Sequence, residues 1–129
     1  MPLQTVLWVK IIVTVVLWCV PLLLFPAKWF EAIGYRKVPD PMLFVRLLGV
    51  AYLALGVGYV LGLRALNSGG TAQQAVTVGI VSNGLACVVL LIYLARGEFA
   101  SWGFWARAHI WTSIAATGLV TLGLLTAGR

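Results

Sequence analysis

Apolar residues run almost unbroken over residues 6–25, 42–63, 75–95 and 104–126, and polar and charged residues collect between the runs. Each run is about as long as the roughly 20 residues a helix needs to cross a hydrocarbon core of about 30 Å. Helix is also what such a core demands, because no backbone group can stay unpaired in hydrocarbon. The pattern predicts an all-α protein: a four-helix transmembrane bundle, up-down-up-down, built of two helical hairpins in a single domain over residues 1–129. Little chain is left for an extramembrane domain, and none is expected.

The first run is interrupted only by Lys10 and Thr14 and ends at the punctuation of Pro21 and Pro26. It begins like a secretory signal peptide, but it continues FPAKWFEAIGY, with bulky aromatics where a peptidase requires small residues. An uncleaved helix is the expectation. The connections differ in character. Residues 26–41 (PAKWFEAIGYRKVPDP) predict a short helical turn along the membrane interface, with Trp29, Phe30 and Tyr35 toward lipid and Lys28, Arg36 and Lys37 toward headgroups. Residues 67–74 (NSGGTAQQ) predict a flexible turn in water, and residues 96–103 (RGEFASWG) again mix aromatics with charge.

Composition agrees with the pattern: 62% of residues are apolar, 9% are charged and the mean hydropathy is +1.03. A soluble domain carries about 25% charged residues, so this chain lacks the means to coat itself for water. The formal charge is +6, from nine Lys and Arg against three acids. In a soluble protein that excess would suggest nucleic acid. Here the basic residues stand singly at the ends of apolar runs, so their expected partner is the lipid bilayer and not nucleic acid. Lys28, Arg36, Lys37, Arg46, Arg96 and Arg107 lie on the side of the first and third connections, against Lys10, Arg64 and Arg129 on the other. The excess predicts a multi-pass protein of the cell membrane with connections one and three in the cytoplasm and both termini outside. Cys19 and Cys87 lie within apolar runs without metal-ligand spacing and read as free thiols.

Helices in lipid associate by close approach at small residues and by interhelical hydrogen bonds. Gly49, Gly56, Gly58 and Gly62 in the second run, Gly79 in the third, and Ser113 and Thr117 in the fourth are the expected packing positions. An internal echo accompanies them: FVRLLGVA at residues 44–51 and WARAHIWT at residues 105–112 each place an aromatic two positions before an arginine, and the pairs Gly34-Tyr35 and Gly103-Phe104 precede them.

Ionisable groups at membrane depth mark candidate function. Lys10, Arg46, Arg107 and the single histidine, His109, qualify. The arginines lie about one turn inside their helices, from where a long side chain can snorkel back to headgroups. Alternatively Arg46, Arg107 and His109 converge at the mouth of the bundle, with Asn83 joining from the third run, to hold an anionic headgroup, a quinone carbonyl or a partner's carboxylate. His109, Ser113 and Thr117 share one helical stripe. No catalytic residue and no metal set is expected: the acids Glu31, Asp40 and Glu98 lie in the connections, one histidine cannot supply both axial ligands of a b-type haem, and nucleophile-elbow, phosphate-loop and zinc motifs are missing from the sequence.

Residues 38–63, VPDPMLFVRLLGVAYLALGVGYVLGL, resemble the DoxX-like group of small four-helix membrane proteins, through a loop ending in Pro41 followed by Arg46, Gly49 and Tyr52 on the second helix. Some of that group are associated with membrane redox systems such as quinone reduction. The resemblance implies an accessory or quinone-proximal role and carries over no catalytic residue. The function expected is therefore that of an accessory or assembly component, associated with itself or with a larger membrane complex and without a resident cofactor. The alternatives are a quinone-binding subunit of a redox system, with quinone as its ligand, and a small carrier for an anionic or neutral solute.

Overall fold

The computed structural model describes residues 2–127; Arg129, counted in the charge balance above, lies outside them. The described chain is helical without a strand. Its long helices are α1 (Leu3–Leu24), α3 (Leu43–Asn67), α4 (Gln73–Ala95) and α5 (Phe104–Ala127), and each is long and apolar enough to cross a membrane. A short helix, α2 (Ala27–Ala32), lies in the first connection. The outer faces present large apolar side chains such as Ile12, Val16, Phe44, Leu85 and Leu119, as expected of surfaces solvated by lipid tails.

Helix ends extend past the apolar runs where capping chemistry allows. Pro2 precedes α1 and its carbonyl accepts the amides of Thr5 and Val6, which starts the helix ahead of the apolar run. α2, α3 and α4 each stop at a glycine of positive φ, namely Gly34, Gly69 and Gly97. At each, two amides fold back onto carbonyls of the last turn: at α3, Gly69 N–H donates to Leu66 and Gly70 N–H to Ala65. α3 thus continues past residue 63 through Arg64 to Asn67 because the stop signal, Gly69, comes only there.

The buried apolar cluster gathers the start of α1 (Val6, Leu7), the end of α3 (Tyr59, Leu63), the start of α4 (Ala75, Val76) and the end of α5 (Val120, Leu124). Small residues admit the close approaches. A Cβ on Gly49 would come within 2.8 Å of the Leu23 side chain, one on Gly79 within 2.6 Å of Leu124, and Gly62 lies directly against Ala75. Gly56 and Gly58, expected to pack, have open space where a Cβ would sit, so only Gly62 of the GxxxG pair is a contact.

α1 is locally widened. Residues Thr14–Cys19 form a π-helical turn, where Val20 N–H donates to Val15 O. The cause lies just beyond: Pro21 has no amide to give the Leu17 carbonyl four residues back, and its ring crowds that carbonyl. The wider register relieves the crowding, and Leu17 and Trp18 of this turn line cavities. Three residues of α3 fasten it to this part of α1. Arg46 donates from Nη1 to Leu22 O (2.6 Å) and from Nη2 to Phe25 O (2.7 Å), Gly49 admits Leu22 and Leu23, and Tyr52 stacks on Trp18 with ring centroids 5.2 Å apart.

Candidate functional site

The first and third connections meet at one end of the bundle. Gly103 N–H donates to Gly34 O (2.8 Å) and Ala106 N–H to Ile33 O (3.0 Å), so the end of α2 caps the start of α5. The backbones touch at Gly34 and Gly103, the two glycines of the internal echo. This contact carries Tyr35, the next residue, inward. Phe30 is buried and Tyr35 half-buried against Trp102 and His109, which corrects the expectation that both face lipid; of the aromatics expected there, Trp29 stays exposed. The reason is the αL turn at Gly34, which reverses the chain after α2 and which a linear hydrophobicity pattern does not register.

Behind these residues lies a cavity of about 480 Å³, within the size range of small-molecule sites. Its walls are Trp18, Phe30, Tyr35, Phe99, Trp102 and His109, with Leu17, Pro21 and Leu22 of α1. Exposed Val89 and Tyr93 of α4 and the charged Arg36, Lys37 and Glu98 line its outer edge. Arg36 is held there by Nε donating to Ser101 O (3.3 Å).

His109 and Tyr35 form the polar pair of this cavity. His109 Nε2 lies 3.0 Å from Leu17 O, the carbonyl that Pro21 leaves without its α-helical donor. A carbonyl can only accept, so Nε2 carries the hydrogen. In the neutral ring Nδ1 is then an acceptor, and the Tyr35 hydroxyl donates to it at 2.5 Å. Burial pushes the Tyr35 phenol up to about 12, so it remains an O–H donor at neutral pH. The oxygen of Tyr35 keeps a lone pair free for a further donor.

The expected convergence of Arg46, Arg107, His109 and Asn83 does not occur. Arg46 is spent on the C-terminal carbonyls of α1, where its charge also opposes the negative end of the helix dipole. Arg107 is exposed beside Leu94, Phe99 and Trp111, outside the cavity. The two arginines of the echo therefore do different work. Asn83 lies deeper and accepts from Lys10 Nζ at 2.8 Å.

The His109, Ser113 and Thr117 stripe does face inward. His109 lines the interfacial cavity and Ser113 is fully buried, whereas Thr117 lines a second, deeper cavity of about 200 Å³. Trp18 borders both cavities. Sequence reasoning missed Tyr35, Trp18 and Trp102 as site residues. The signals available were Pro21 inside an apolar run, which orphans a carbonyl that a histidine can serve, and Gly34, which can reverse the chain. Among the described residues no group of three or more His, Cys, Asp or Glu comes together to hold a metal ion, and both cysteines are free.

Comparison with known proteins finds no matching family model, no matching curated protein and no matching solved structure.

Proposed function

We propose that this chain is an accessory membrane component that holds a lipophilic molecule with a hydrogen-bonding head, of the quinone class, in the interfacial cavity. The observation that carries the reading is the Tyr35–His109 pair set in an aromatic wall about a 480 Å³ space. Aromatic faces at Trp18, Phe30 and Trp102 suit a planar ring, and the apolar edge at Val89 suits the start of a hydrocarbon tail. With its one hydrogen given to His109 Nδ1, the Tyr35 oxygen is an acceptor toward the cavity, so the pair as built suits the hydroxyl of the reduced, quinol form. The DoxX-like resemblance of residues 38–63 is proposed in support, and it agrees with a binding role.

Titrating the detergent-purified protein with a short-tailed benzoquinol under reducing conditions and reading tryptophan fluorescence tests this. Saturable quenching is expected, weakened about tenfold in Tyr35→Phe through loss of one buried hydrogen bond. Quenching without saturation, or equal affinity in wild type, Tyr35→Phe and His109→Leu, sinks the reading. Association with itself or with a larger complex belongs to the same proposal, and native mass spectrometry from mild detergent reads it.

The proposed location is the cell membrane with connections one and three in the cytoplasm. Lys10, counted above on the opposite side, points into the bundle at 4% exposure and drops out of the charge comparison. Arg64 and Arg129 then remain against Lys28, Arg36, Lys37, Arg46, Arg96 and Arg107.

A further inference from the structure

We propose that Lys10 and the cavity beside it form a binding site for a small monovalent anion, a halide or a short carboxylate. Lys10 is 4% exposed in the middle of α1, and its ammonium carries three N–H donors. One goes to Asn83 Oδ1, and the face of the Tyr59 ring lies 5.0 Å from Nζ. Neither carries a full negative charge. The acids of the chain, Glu31, Asp40 and Glu98, all lie outside the four spans and are exposed. A buried cation at membrane depth demands a counter-charge, and this chain supplies none there.

The adjoining cavity of about 200 Å³ lies among all four long helices, lined by Lys10, Tyr52, Ser82, Asn83 and Thr117 among others. It is smaller than the roughly 300–1,000 Å³ of small-molecule pockets, yet it holds several bodies of water size at about 30 Å³ each. The hydrogens of its other polar groups are largely committed: Ser82 Oγ pairs with the Tyr59 hydroxyl at 3.0 Å, Thr117 Oγ1 donates to Ser113 O at 2.7 Å and Asn83 Nδ2 donates to Gly79 O at 2.6 Å, while Asn83 Oδ1 takes Lys10. The donors left over are the remaining N–H groups of Lys10 and the hydroxyl of Tyr52, which has no hydrogen-bond partner among the described residues. Unused donors around a positive charge recognise an anion. Trp18 borders both this cavity and the interfacial one.

The site rests on no part of the quinone reading, and the two fail separately: Tyr35→Phe perturbs only the interfacial cavity and Tyr52→Phe only this one. The test is thermal unfolding of the purified protein at constant sodium, with gluconate replaced stepwise by chloride in one arm and by acetate in the other. Gluconate is too large for the cavity. A saturable rise in Tm in the chloride arm identifies a halide site, and one confined to acetate a carboxylate site. Lys10→Met abolishes the rise, and Tyr52→Phe, which keeps the charge, raises the half-saturating concentration about tenfold. Identical Tm in all three salts overturns the proposal, as does a rise that survives in Lys10→Met. Should Lys10→Met not fold, an unchanged half-saturation in Tyr52→Phe overturns it equally.

Discussion

Replacing Gly34 with alanine puts two separable penalties on the joint that builds the interfacial cavity. The first is conformational: Gly34 has φ +99°, and a side chain held in such a region costs about 1–3 kcal/mol. The second is steric: an added Cβ would lie 2.5 Å from Gly103 Cα and 2.8 Å from Gly103 N, and backbone cannot rotate aside as a side chain can. The two connections must part, which breaks the Gly103-to-Gly34 and Ala106-to-Ile33 hydrogen bonds at a net cost of about 0.5–1.5 kcal/mol each. The expected loss is about 2–6 kcal/mol. Two controls divide it. Gly97 has φ +72° with nothing within 4 Å, so Gly97→Ala reports the conformational part alone. Gly103→Ala meets Gly34 Cα at 2.8 Å without a positive φ and reports the steric part. Reversible unfolding in mixed detergent micelles, with denaturing surfactant as the titrant, measures all three. A loss for Gly34→Ala no larger than that for Gly97→Ala refutes the claim that the two connections are locked backbone to backbone.

The Tyr35 phenol, raised to about 12 by burial, stabilises the fold fully below its ordinary pKa of about 10, and that contribution drains away as pH rises through about 12. Tyrosinate absorbance should show a late transition that Tyr35→Phe removes; a Tyr35 transition near pH 10 contradicts the buried pair. Arg46→Met should destabilise by about 2–4 kcal/mol, because two charge-assisted bonds to Leu22 and Phe25 carbonyls are lost, and Arg46→Lys, which cannot fork, should fall between it and wild type. Equal stability of all three would return Arg46 to simple headgroup anchoring. In a background without Cys19 and Cys87, an impermeant maleimide should label Ser68→Cys on intact cells and Ser101→Cys only after permeabilisation; the reverse pattern inverts the proposed orientation.

The four crossings were legible because a bilayer imposes one length and one polarity on every span, and both are local properties of the sequence. The site was not, because its geometry depends on where chains turn and on which groups are left without partners. Arg46 illustrates the difference. Its depth in α3 was readable, but its occupation depends on α1 ending at Leu24 within reach, and that ending follows from Phe25 and Pro26 on another segment. Asn83 was expected beside His109 because both are polar in apolar runs, yet helical rise separates them: Asn83 lies mid-span and pairs with Lys10, whereas His109 is barely a turn and a half into α5. Lys10 was read as an ionisable group at membrane depth and also counted with the charges of the terminal side. Its seven preceding helical residues place it more than 10 Å along α1, too deep to reach water from a bundle interior that Val6 and Leu7 close behind it.

Pro21 lies inside α1, which runs on three residues past it to Leu24, one short of the end of the apolar run at residue 25. What the proline removes is a single backbone donor, and beside it lie the widened turn at Thr14–Cys19, the Leu17 carbonyl that meets His109, and Trp18, which borders both cavities. An alanine at this position would restore the donor and compete with His109 for Leu17. The imidazole would then lose the bond that fixes its tautomer, and with it the acceptor that holds Tyr35. A residue that touches no ligand thereby sets the hydrogen-bonding character of the wall a ligand would meet.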